Sequence, residues 1–315
     1  MLVAPPGAEH PAPDPDPASA GACSPFTRAS VRIRPLLVIP FGVSLNNQEL
    51  KPMQSLHKIA LVTGGARRLG RAIALDLAAA GWDIAVHFGS SAADAERTVD
   101  LIKQMGRRAI ALQADLADEA AVDTLIERCA AGIGVPDCLV NNASLFDFDV
   151  SRDFQWNNLE RHMRVNVAAP VSLARDLCRL RRARGSSDAR PGVVINLLDQ
   201  KLSNPNPDFL SYTLSKSALQ QATVLLAQAL APELRVVGVA PGITMPSGNQ
   251  TDAQYRAAHA LTPLGKSSLP ADVSAAVVYL ASAHAVTGTT LLVDGGQHLH
   301  PSERDVMFLV PGSNP

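Results

Sequence analysis

Short apolar runs alternate with longer amphipathic segments from Lys58 onward. The runs at 59–62, 84–87, 109–113, 138–141, 193–198, 235–239 and 290–293 have the length of buried strands. The segments at 68–80, 92–105, 119–129, 159–182 and 209–229 have helical spacing, and Gly81 and Gly106 end the first two. The pattern predicts an α/β fold, in which a doubly wound (Rossmann), seven-stranded parallel sheet carries helices on both faces in a single domain.

The first 55 residues differ from the rest because they are rich in proline and alanine. Proline blocks regular backbone hydrogen bonds, so we expect residues 1–55 to be a disordered extension outside the fold. The apolar run 31–43 contains Pro35 and Pro40, which argues against a secretory signal. A chain that started at Met53 would lose no predicted core element. The folded domain is predicted at 56–300, followed by a C-terminal tail, 301–315, that we expect at an oligomer interface.

Composition excludes several classes of protein. The 315 residues are 47% hydrophobic with a formal net charge of −1, so nothing indicates a nucleic-acid partner or an anionic membrane surface. No run of eighteen apolar residues predicts a transmembrane helix. The cysteines, which are Cys23, Cys129, Cys138 and Cys178, show no C-x-x-C pairing, and the last three fall in predicted helices or strands. We expect a cytoplasmic enzyme without disulfides or a metal site.

A glycine-rich turn, TGGARRLG at residues 63–70, follows the first predicted strand and opens a helix. Backbone N–H groups at a helix N-terminus attract phosphate, and Gly64 and Gly70 allow close approach. Between these glycines lie Arg67, Arg68 and Leu69. The turn predicts a dinucleotide site, and the alternative is an ordinary strand-to-helix turn.

The end of the second strand indicates which dinucleotide binds. A carboxylate usually holds the adenosine ribose there, whereas residues 87–91 read HFGSS. His87, Ser90 and Ser91 carry no charge that repels a 2′-phosphate. Arg67 and Arg68 are predicted to face this ribose, so the site favours NADPH over NADH. Alternatively, either arginine is a solvated surface residue.

Candidate chemistry lies in a Y-x-x-x-K motif, which Tyr212 opens and Lys216 closes. Residues four apart on a helix share one face, so the Lys216 ammonium is expected to lower the pKa of Tyr212 from about 10 toward neutrality. Asp199 lies thirteen residues before Tyr212. This arrangement predicts a proton donor beside a hydride donor.

From Lys58 to about His298 the chain resembles a short-chain dehydrogenase/reductase. The matching residues are the turn at 63–70, Asp115-Leu116, Asn141-Asn142-Ala143, Asn166, Tyr212 with Lys216, Pro241-Gly242 and the VDGG run at 293–296. The resemblance implies that Asp115 and Leu116 border the adenine, that Asn142 and Ala143 line the cofactor cleft, and that Pro241 and Gly242 approach the nicotinamide. It also implies that Asn166 holds a water chain behind Lys216, that Lys216 binds the nicotinamide ribose, and that the protein is a homotetramer.

Two departures narrow the resemblance. Arg68 replaces the usual glycine of the turn, and Asp199 replaces the usual catalytic serine. Both are marks of the pteridine reductase and dihydromonapterin reductase branch, which the NNASLF segment also resembles. The resemblance implies that Ser144 touches cofactor or substrate and that Phe146 stacks on a pterin. Ser90 stands where some pteridine reductases carry a basic residue. Arg68 is therefore expected to supply more of the positive charge that attracts the cofactor phosphate.

Asp199 also has a chemical meaning of its own. Reduction of a ring C=N bond needs a proton on nitrogen as hydride reaches carbon, and a carboxylic acid can supply it. We therefore expect Asp199 and Tyr212 to act together on a dihydropterin. Three alternatives remain open: Asp199 is only a turn or cap residue, the enzyme is a carbonyl reductase acting on a 3-oxoacyl thioester or another ketone, or the chain is a non-catalytic regulator that binds the cofactor.

The remaining candidates are weaker. Phe146 could belong to the core, and His298 and His300 have no ready third metal ligand. The basic run Arg179, Arg181, Arg182 and Arg184 suits a solvated helix C-terminus. Residues 241–270, around a short helical stretch at 252–260, are typical of a mobile lid that sets substrate choice. Its side chains leave open which pterin is used and whether folates are accepted.

Overall fold

The computed structural model describes residues 58–184, 190–246 and 250–309. The predictions for the extension 1–55, including the run 31–43 and Cys23, lie outside the described residues. So do the end of the tail and part of the lid.

Seven parallel strands form one sheet in the order β3-β2-β1-β4-β5-β6-β7. The strands are β1 (Ile59–Val62), β2 (Asp83–Phe88), β3 (Ala109–Gln113), β4 (Cys138–Asn141), β5 (Gly192–Leu197), β6 (Leu234–Pro241) and β7 (Thr290–Val293). In the register, Leu61 of β1 lies beside Ala85 of β2 and Leu139 of β4. The predicted fold class is confirmed, and the strand ends agree with the sequence prediction within about two residues.

The helices connect the strands as expected. They are α1 (Arg68–Ala79), α2 (Ala92–Gln104), α3 (Glu119–Gly132), α4 (Trp156–Met163), α5 (Ala169–Ala183), α6 (Leu210–Ala229), α7 (Asp252–Ala260) and α8 (Pro270–Ser282). Gly81 and Gly106 have φ of 92° and 76°, a left-handed conformation that suits the predicted helix ends. The short helical stretch predicted at 252–260 is confirmed as α7. Helix α8 was not predicted.

The core lies on both faces of the sheet because β1 alternates its side chains between them. Val62 contacts one apolar cluster, which α1, α2 and α8 cover with residues such as Ile73 and Val277. Leu61 contacts the other cluster, which α3 and α5 cover with residues such as Leu125 and Leu173. Each fully buried residue of this size contributes about 1.5–3 kcal/mol.

The single helix predicted at 159–182 is interrupted. A π-helical turn, Arg164–Ala168, separates α4 from α5. Pro170 lies just after it and has no N–H to donate to the carbonyl of Asn166, four residues earlier. Such turns often mark functional positions, and this one contains the predicted site residue Asn166.

The connections place the candidate residues at one edge of the sheet. Strands β1 and β4 are neighbours, and the strand order reverses between them. In doubly wound sheets, ligands bind beyond the carboxyl ends of the strands at this switch point. Among the described helices, none has the length and apolarity needed to span a bilayer.

Candidate active site

The turn after β1 closes tightly against the start of α1. Gly64 has φ of 62°, which favours glycine, and a Cβ on Gly70 would lie 2.1 Å from the Gly64 carbonyl oxygen. Only glycine fits at Gly70 without moving the backbone. The first N–H groups of α1 have no partner within the helix and can hold a diphosphate.

The His87 imidazole holds the glycine-rich turn through hydrogen bonds on both of its nitrogens. Its Nδ1 accepts a hydrogen bond from Gly64 N–H at 3.1 Å, so its Nε2 carries the proton and donates to the Ala114 carbonyl at 3.1 Å. Burial lowers the pKa of His87 to about 4. Both ring nitrogens are therefore occupied by the backbone, and His87 shapes the turn instead of reaching the ribose. The imidazole points into the protein, so a contact between His87 and the cofactor stays a prediction for its backbone only.

Arg67 and Arg68 reach different places. Arg67 Nε lies 3.7 Å from Asp94 Oδ2 in the first turn of α2, the helix that Ser91 precedes, and its contact with the ribose phosphate stays a prediction. Arg68 donates instead to the Pro246 carbonyl at 2.8 Å and lines the cavity that contains Asp199. Extended backbone at Arg67, with φ of −141°, sends consecutive side chains to different sides, so Arg68 points toward Pro246 and Arg67 toward α2.

The remaining residues predicted for the adenosine half follow β2 and β3. Ser90 is exposed, and Ser91 precedes α2 without capping it through its side chain, which leaves the hydroxyl available. Asp115 is exposed after β3, where its Oδ1 accepts from Ala117 N–H at 2.9 Å, and Leu116 is buried.

Asn142 and Ala143 hold the turn against β4. Asn142 Nδ2 donates to the Thr63 carbonyl at 2.9 Å, and the N–H groups of both residues donate to Thr63 Oγ1 at 3.0 Å. The floor of the cleft is therefore rigid. Pro241 and Gly242 line the same cavity, and a Cβ on Gly242 would lie 2.5 Å from Ser267 Oγ.

Asp199 and Tyr212 form the centre of the site. Tyr212 Oη donates to Asp199 Oδ2 at 2.7 Å, and both residues line a cavity of about 470 Å³. Asp199 also caps a short 3₁₀ turn, because its Oδ1 accepts from Lys201 N–H at 2.8 Å. One carboxylate oxygen of Asp199 therefore caps the turn, and the other accepts from Tyr212, so capping does not exclude a role in catalysis.

The pKa of Tyr212 is opposite to the expectation. Burial and the neighbouring Asp199 carboxylate raise the pKa of Tyr212 well above its ordinary value of 10. Burial also raises the pKa of Asp199, while its hydrogen bonds from Lys201 and Tyr212 oppose that change. The predicted lowering of the Tyr212 pKa is wrong because burial and the Asp199 carboxylate both disfavour the charged phenolate. Tyr212 therefore holds its proton firmly, and Asp199 is the more acidic partner.

Lys216 is buried beneath Tyr212. Its Nζ donates to the Leu197 carbonyl at 2.7 Å and lies 5.7 Å from the centre of the Tyr212 ring. Burial lowers the pKa of Lys216 to about 8, against the attraction of Asp199. A proton can therefore leave Lys216 near neutral pH more easily than from an exposed lysine.

Asn166 organises the loop after β4. Its Oδ1 accepts from Leu145 N–H at 2.8 Å and from Ser144 Oγ at 3.2 Å. Its Nδ2 donates to Ser215 Oγ of α6 at 2.9 Å. Through these bonds Asn166 links the loop that carries Ser144 and Phe146 to the helix that carries the Y-x-x-x-K motif.

Phe146 belongs to an aromatic cluster at the cavity. Its ring stacks on Phe209 with centroids 4.2 Å apart and meets Tyr212 edge-on at 4.6 Å. Phe146 is 41% exposed, so it is not a core residue in the usual sense. Phe148 and Phe308 extend the cluster around Phe209.

The C-terminal residues form part of the site, which the sequence did not reveal. His300 and residues from the tail, including Arg304, Asp305 and Met307, line the same cavity as Tyr212. No motif marks them, and only the folded chain brings them back to β5.

The other candidates are structural. His298 Nδ1 lies 2.7 Å from Asp294 Oδ2, within the VDGG segment. The arginines at the end of α5 pair with acidic residues, as Arg179 does with Glu127 at 2.8 Å. Cys129, Cys138 and Cys178 are free and buried.

The donor groups fit a phosphate-bearing dinucleotide. Arg68 and Leu69 at the start of α1 line the cavity, while Arg67 contacts Asp94 of α2, the helix that Ser91 precedes. Asp94 already pairs with Arg67, but an exposed ion pair contributes at most about 1 kcal/mol, so a phosphate can replace it.

Comparisons with known proteins agree with this geometry. A family model described as enoyl-(acyl carrier protein) reductase matches residues 64–298. The 3beta-hydroxysteroid dehydrogenase 1 of Eggerthella lenta is 36% identical over 253 residues, which cover 78% of this chain and 95% of that protein.

Two solved structures are also similar. FolM alternative dihydrofolate reductase 1 from Brucella canis, complexed with NADP, has a TM-score of 0.73 and 38% identity over 79% of this chain and 96% of that one. The angucycline C-6 ketoreductase LanV, with bound NADP, has a TM-score of 0.70 and 30% identity over 77% of this chain and 96% of that one. The chain belongs to the short-chain dehydrogenase/reductase family of NAD(P)-dependent oxidoreductases.

Proposed function

We propose that the protein uses NADPH to reduce a dihydropterin of the biopterin or monapterin type to the tetrahydropterin. The observation that carries this proposal is the 2.7 Å hydrogen bond between Tyr212 and Asp199 in the cavity. A serine at this position would suit a ketone, whereas a carboxyl group suits protonation of a ring nitrogen. Similarity to FolM alternative dihydrofolate reductase 1 supports the same substrate class.

The cofactor assignment rests on charge and on similar structures. FolM and LanV each carry NADP. In this chain the 2′-phosphate would meet the Arg67 guanidinium and the hydroxyls of Ser90 and Ser91, and no carboxylate ends β2. Bound NADPH would supply a hydride to the substrate carbon.

The residues of the chain supply and direct the proton. Hydride addition to the ring C=N bond forms a C–H bond, and the displaced electron pair on nitrogen takes a proton from the Asp199–Tyr212 pair. Buried Lys216, with its pKa lowered to about 8, helps restore that proton. Phe146 stacks on the flat pterin ring beside Tyr212, and Ser144 contacts cofactor or substrate.

A carbonyl reductase is the second candidate, favoured by similarity to the ketoreductase LanV and to 3beta-hydroxysteroid dehydrogenase 1. Tyr212 could donate its proton to a ketone oxygen. Asp199 opposes this function because a carboxylate destabilises the negative charge that develops on that oxygen. We also expect a homotetramer, which light scattering of the purified protein tests.

The first experiment follows NADPH oxidation with 7,8-dihydropterins that bear different side chains, next to a 3-oxoacyl thioester and a ketone panel. We expect pterin-dependent oxidation by the wild-type protein. Tyr212→Phe and Asp199→Ser should each lower kcat by about 100-fold or more, the usual contribution of a general acid. Both variants should still bind NADPH, measured by its fluorescence.

Other outcomes would change the assignment. Reduction of the thioester or a ketone alone would identify the protein as a carbonyl reductase. The inference from Asp199 to a pterin substrate would then be wrong. Unchanged turnover of dihydropterin by Asp199→Ser would leave Asp199 as a cap residue only. Tight NADPH binding without any turnover would favour the non-catalytic regulator.

A further inference from the structure

The C-terminal segment, residues 302–309, folds back along the cavity that contains Asp199 and Tyr212. Its short 3₁₀ turn, Val306–Phe308, begins after Asp305, whose Oδ1 accepts from Met307 N–H at 3.1 Å. The segment contacts the loop between β5 and α6, residues 198–209. That loop begins next to Asp199 and ends at Phe209.

One anchor of the segment is Asp208. Arg304 Nε donates to both oxygens of Asp208, at 3.1 and 2.8 Å, and Asp305 N–H donates to Asp208 Oδ2 at 2.7 Å. Asp208 is 1% exposed. A buried carboxylate needs such partners, so the loop and the segment depend on each other.

A second anchor leads directly to the acid pair. Lys201 is 3% exposed, and its Nζ donates to Asp305 Oδ2 at 3.0 Å and to Asn206 Oδ1. The backbone N–H of the same lysine donates to Asp199 Oδ1 at 2.8 Å. Contacts therefore run without a gap from Asp305 through Lys201 and Asp199 to Tyr212.

Aromatic contacts attach the end of the segment. Phe308 stacks on Phe209 at 6.1 Å with an interplanar angle of 9°, and it meets Phe148 edge-on at 5.5 Å. Phe209 in turn stacks on Phe146. The segment thus supports both the acid pair and the aromatic surface next to it.

We propose that Asp305 is a positioning residue for the Asp199–Tyr212 pair: its carboxylate holds Lys201 and the 198–209 loop in place and adds a negative charge to the cavity wall near Asp199. The inference rests on this pair being the proton source of the proposed function. It does not depend on which substrate accepts the proton.

The charges around the pair give the direction of the effect. Asp199 faces Tyr212 and Lys216 of α6, Lys201 of its own loop and Asp305 of the C-terminal segment. Asp305 itself faces Lys201 and, through Asp208, Arg304. Burial is the main reason that the pKa of Asp199 is raised, and the charge of Asp305 raises it further. Removal of that charge should therefore make Asp199 more acidic.

The test measures Asp199 directly. Protein labelled with ¹³C at aspartate carboxyl carbons is titrated by NMR without substrate, and Asp199→Asn assigns the signal. In Asp305→Asn we expect the Asp199 midpoint at lower pH than in the wild type, and in Asp305→Glu we expect it to return toward the wild-type value. Glu303→Gln is the matched control, because Glu303 is exposed on the same segment and should leave the midpoint unchanged.

A kinetic measurement supports the titration. The Asp199–Tyr212 pair must be protonated to act as an acid. The alkaline fall of kcat should therefore begin at lower pH in Asp305→Asn than in the wild type. At pH 8 we expect kcat to be about three- to tenfold lower and KM for NADPH to be nearly unchanged. The profile is taken with whichever substrate the wild-type protein reduces, so failure of the dihydropterin assignment remains a separate result.

Two results would overturn the inference. One is an Asp199 midpoint in Asp305→Asn equal to that of the wild type, with circular dichroism and thermal unfolding unchanged. The other is an equal shift in Glu303→Gln, which would reflect net charge alone. If Asp305→Asn unfolds, Arg304→Gln serves as the second variant. Arg304→Gln weakens the contact with Asp208 but retains the Asp305 charge. A lower Asp199 midpoint in this variant supports a positioning role of the segment, and an unchanged midpoint contradicts it.

Discussion

Arg68 occupies a backbone conformation that rarely suits an arginine. Its φ is 52°, in the left-handed region, at the position where the family usually has glycine. A side chain there costs about 1–2 kcal/mol. The guanidinium offsets this cost by crossing the cleft to the Pro246 carbonyl and lining the cavity. Arg67, with ordinary extended backbone, contacts Asp94 instead, and we propose that the cofactor phosphate replaces this contact.

Separate substitutions of Arg67 and Arg68 should show that the two arginines have different roles. Arg67→Ala should raise the KM for NADPH about five- to tenfold and leave that for NADH unchanged, because it removes one charge-assisted contact to the 2′-phosphate. Arg68→Gly should retain the preference for NADPH but raise the KM for the pterin. Steady-state kinetics with both cofactors checks the two variants.

Denaturant unfolding adds a control to this pair. Without cofactor, Arg68→Gly should be at least as stable as the wild type, since glycine adopts a positive φ without strain. Loss of NADPH preference in Arg68→Gly, with retention in Arg67→Ala, would reverse the two assignments.

The turn between β1 and α1 is the element on which the cofactor site depends, and one buried side chain ties it to the sheet. His87 of β2 connects the Gly64 N–H to the Ala114 carbonyl beyond β3. Only neutral imidazole with the proton on Nε2 can accept from one group and donate to the other. The pKa of His87, lowered to about 4 by burial, keeps it in that form.

This gives a stability that depends on pH. The pKa is lower in the folded than in the unfolded protein, so the unfolded state binds more protons below pH 6.5. The contribution of His87 is complete above about pH 6.5 and is lost as pH falls toward 4, by about 3 kcal/mol. Urea unfolding of the cofactor-free protein from pH 8 to 4 measures it.

Two variants isolate the histidine from the carboxylates that also titrate in this range. His87→Asn should show a shallower loss of unfolding free energy between pH 6.5 and 4. His284→Asn, a change at an exposed histidine, should follow the wild type. Identical slopes in the wild type and His87→Asn would contradict the assignment.

Elements with a clear period could be predicted, and those without one could not. Helix α1 shows its period because it buries Ile73 and Leu77 on one face only. Helix α8 was missed because residues 273–281 are almost all apolar, so no polar face marks the helix. The π-helical turn before Pro170 was also missed, since Pro170 alone does not say how the chain accommodates its absent N–H.

Site residues within a local motif could be predicted, and those that only the fold brings together could not. The Y-x-x-x-K motif and the glycine turn have fixed local spacing, so Tyr212, Lys216 and Gly70 could be found in the sequence. Lys201 and Asp305 are 104 positions apart and contact each other only through the fold. The pKa of Tyr212 was predicted in the wrong direction because the motif spacing shows the lysine, whereas the burial of the phenol, which raises its pKa most, appears only in the fold.

At the scale of the whole reductase domain, the site is the meeting point of separate parts of the sheet. Residues at or after the ends of β1, β4, β5 and β6 line it, and the C-terminal segment covers one side. A dinucleotide lying along this edge would contact elements that are distant in the chain. Its binding energy therefore acts on the folding of the domain as a unit.

Cofactor binding should accordingly raise the unfolding temperature, and more with NADPH than with NADH. At a concentration about 100 times the Kd, NADPH adds about 2.7 kcal/mol, which corresponds to roughly 5–10 °C for a domain of this size. NADH at the same concentration lacks the phosphate contacts and should give a smaller shift. Differential scanning fluorimetry checks this, with Arg67→Ala expected to reduce the difference between the cofactors. Equal shifts of the wild-type unfolding temperature with NADPH and NADH would contradict the assignment of Arg67, Ser90 and Ser91. Contacts with the 2′-phosphate would then add nothing to the free energy of cofactor binding.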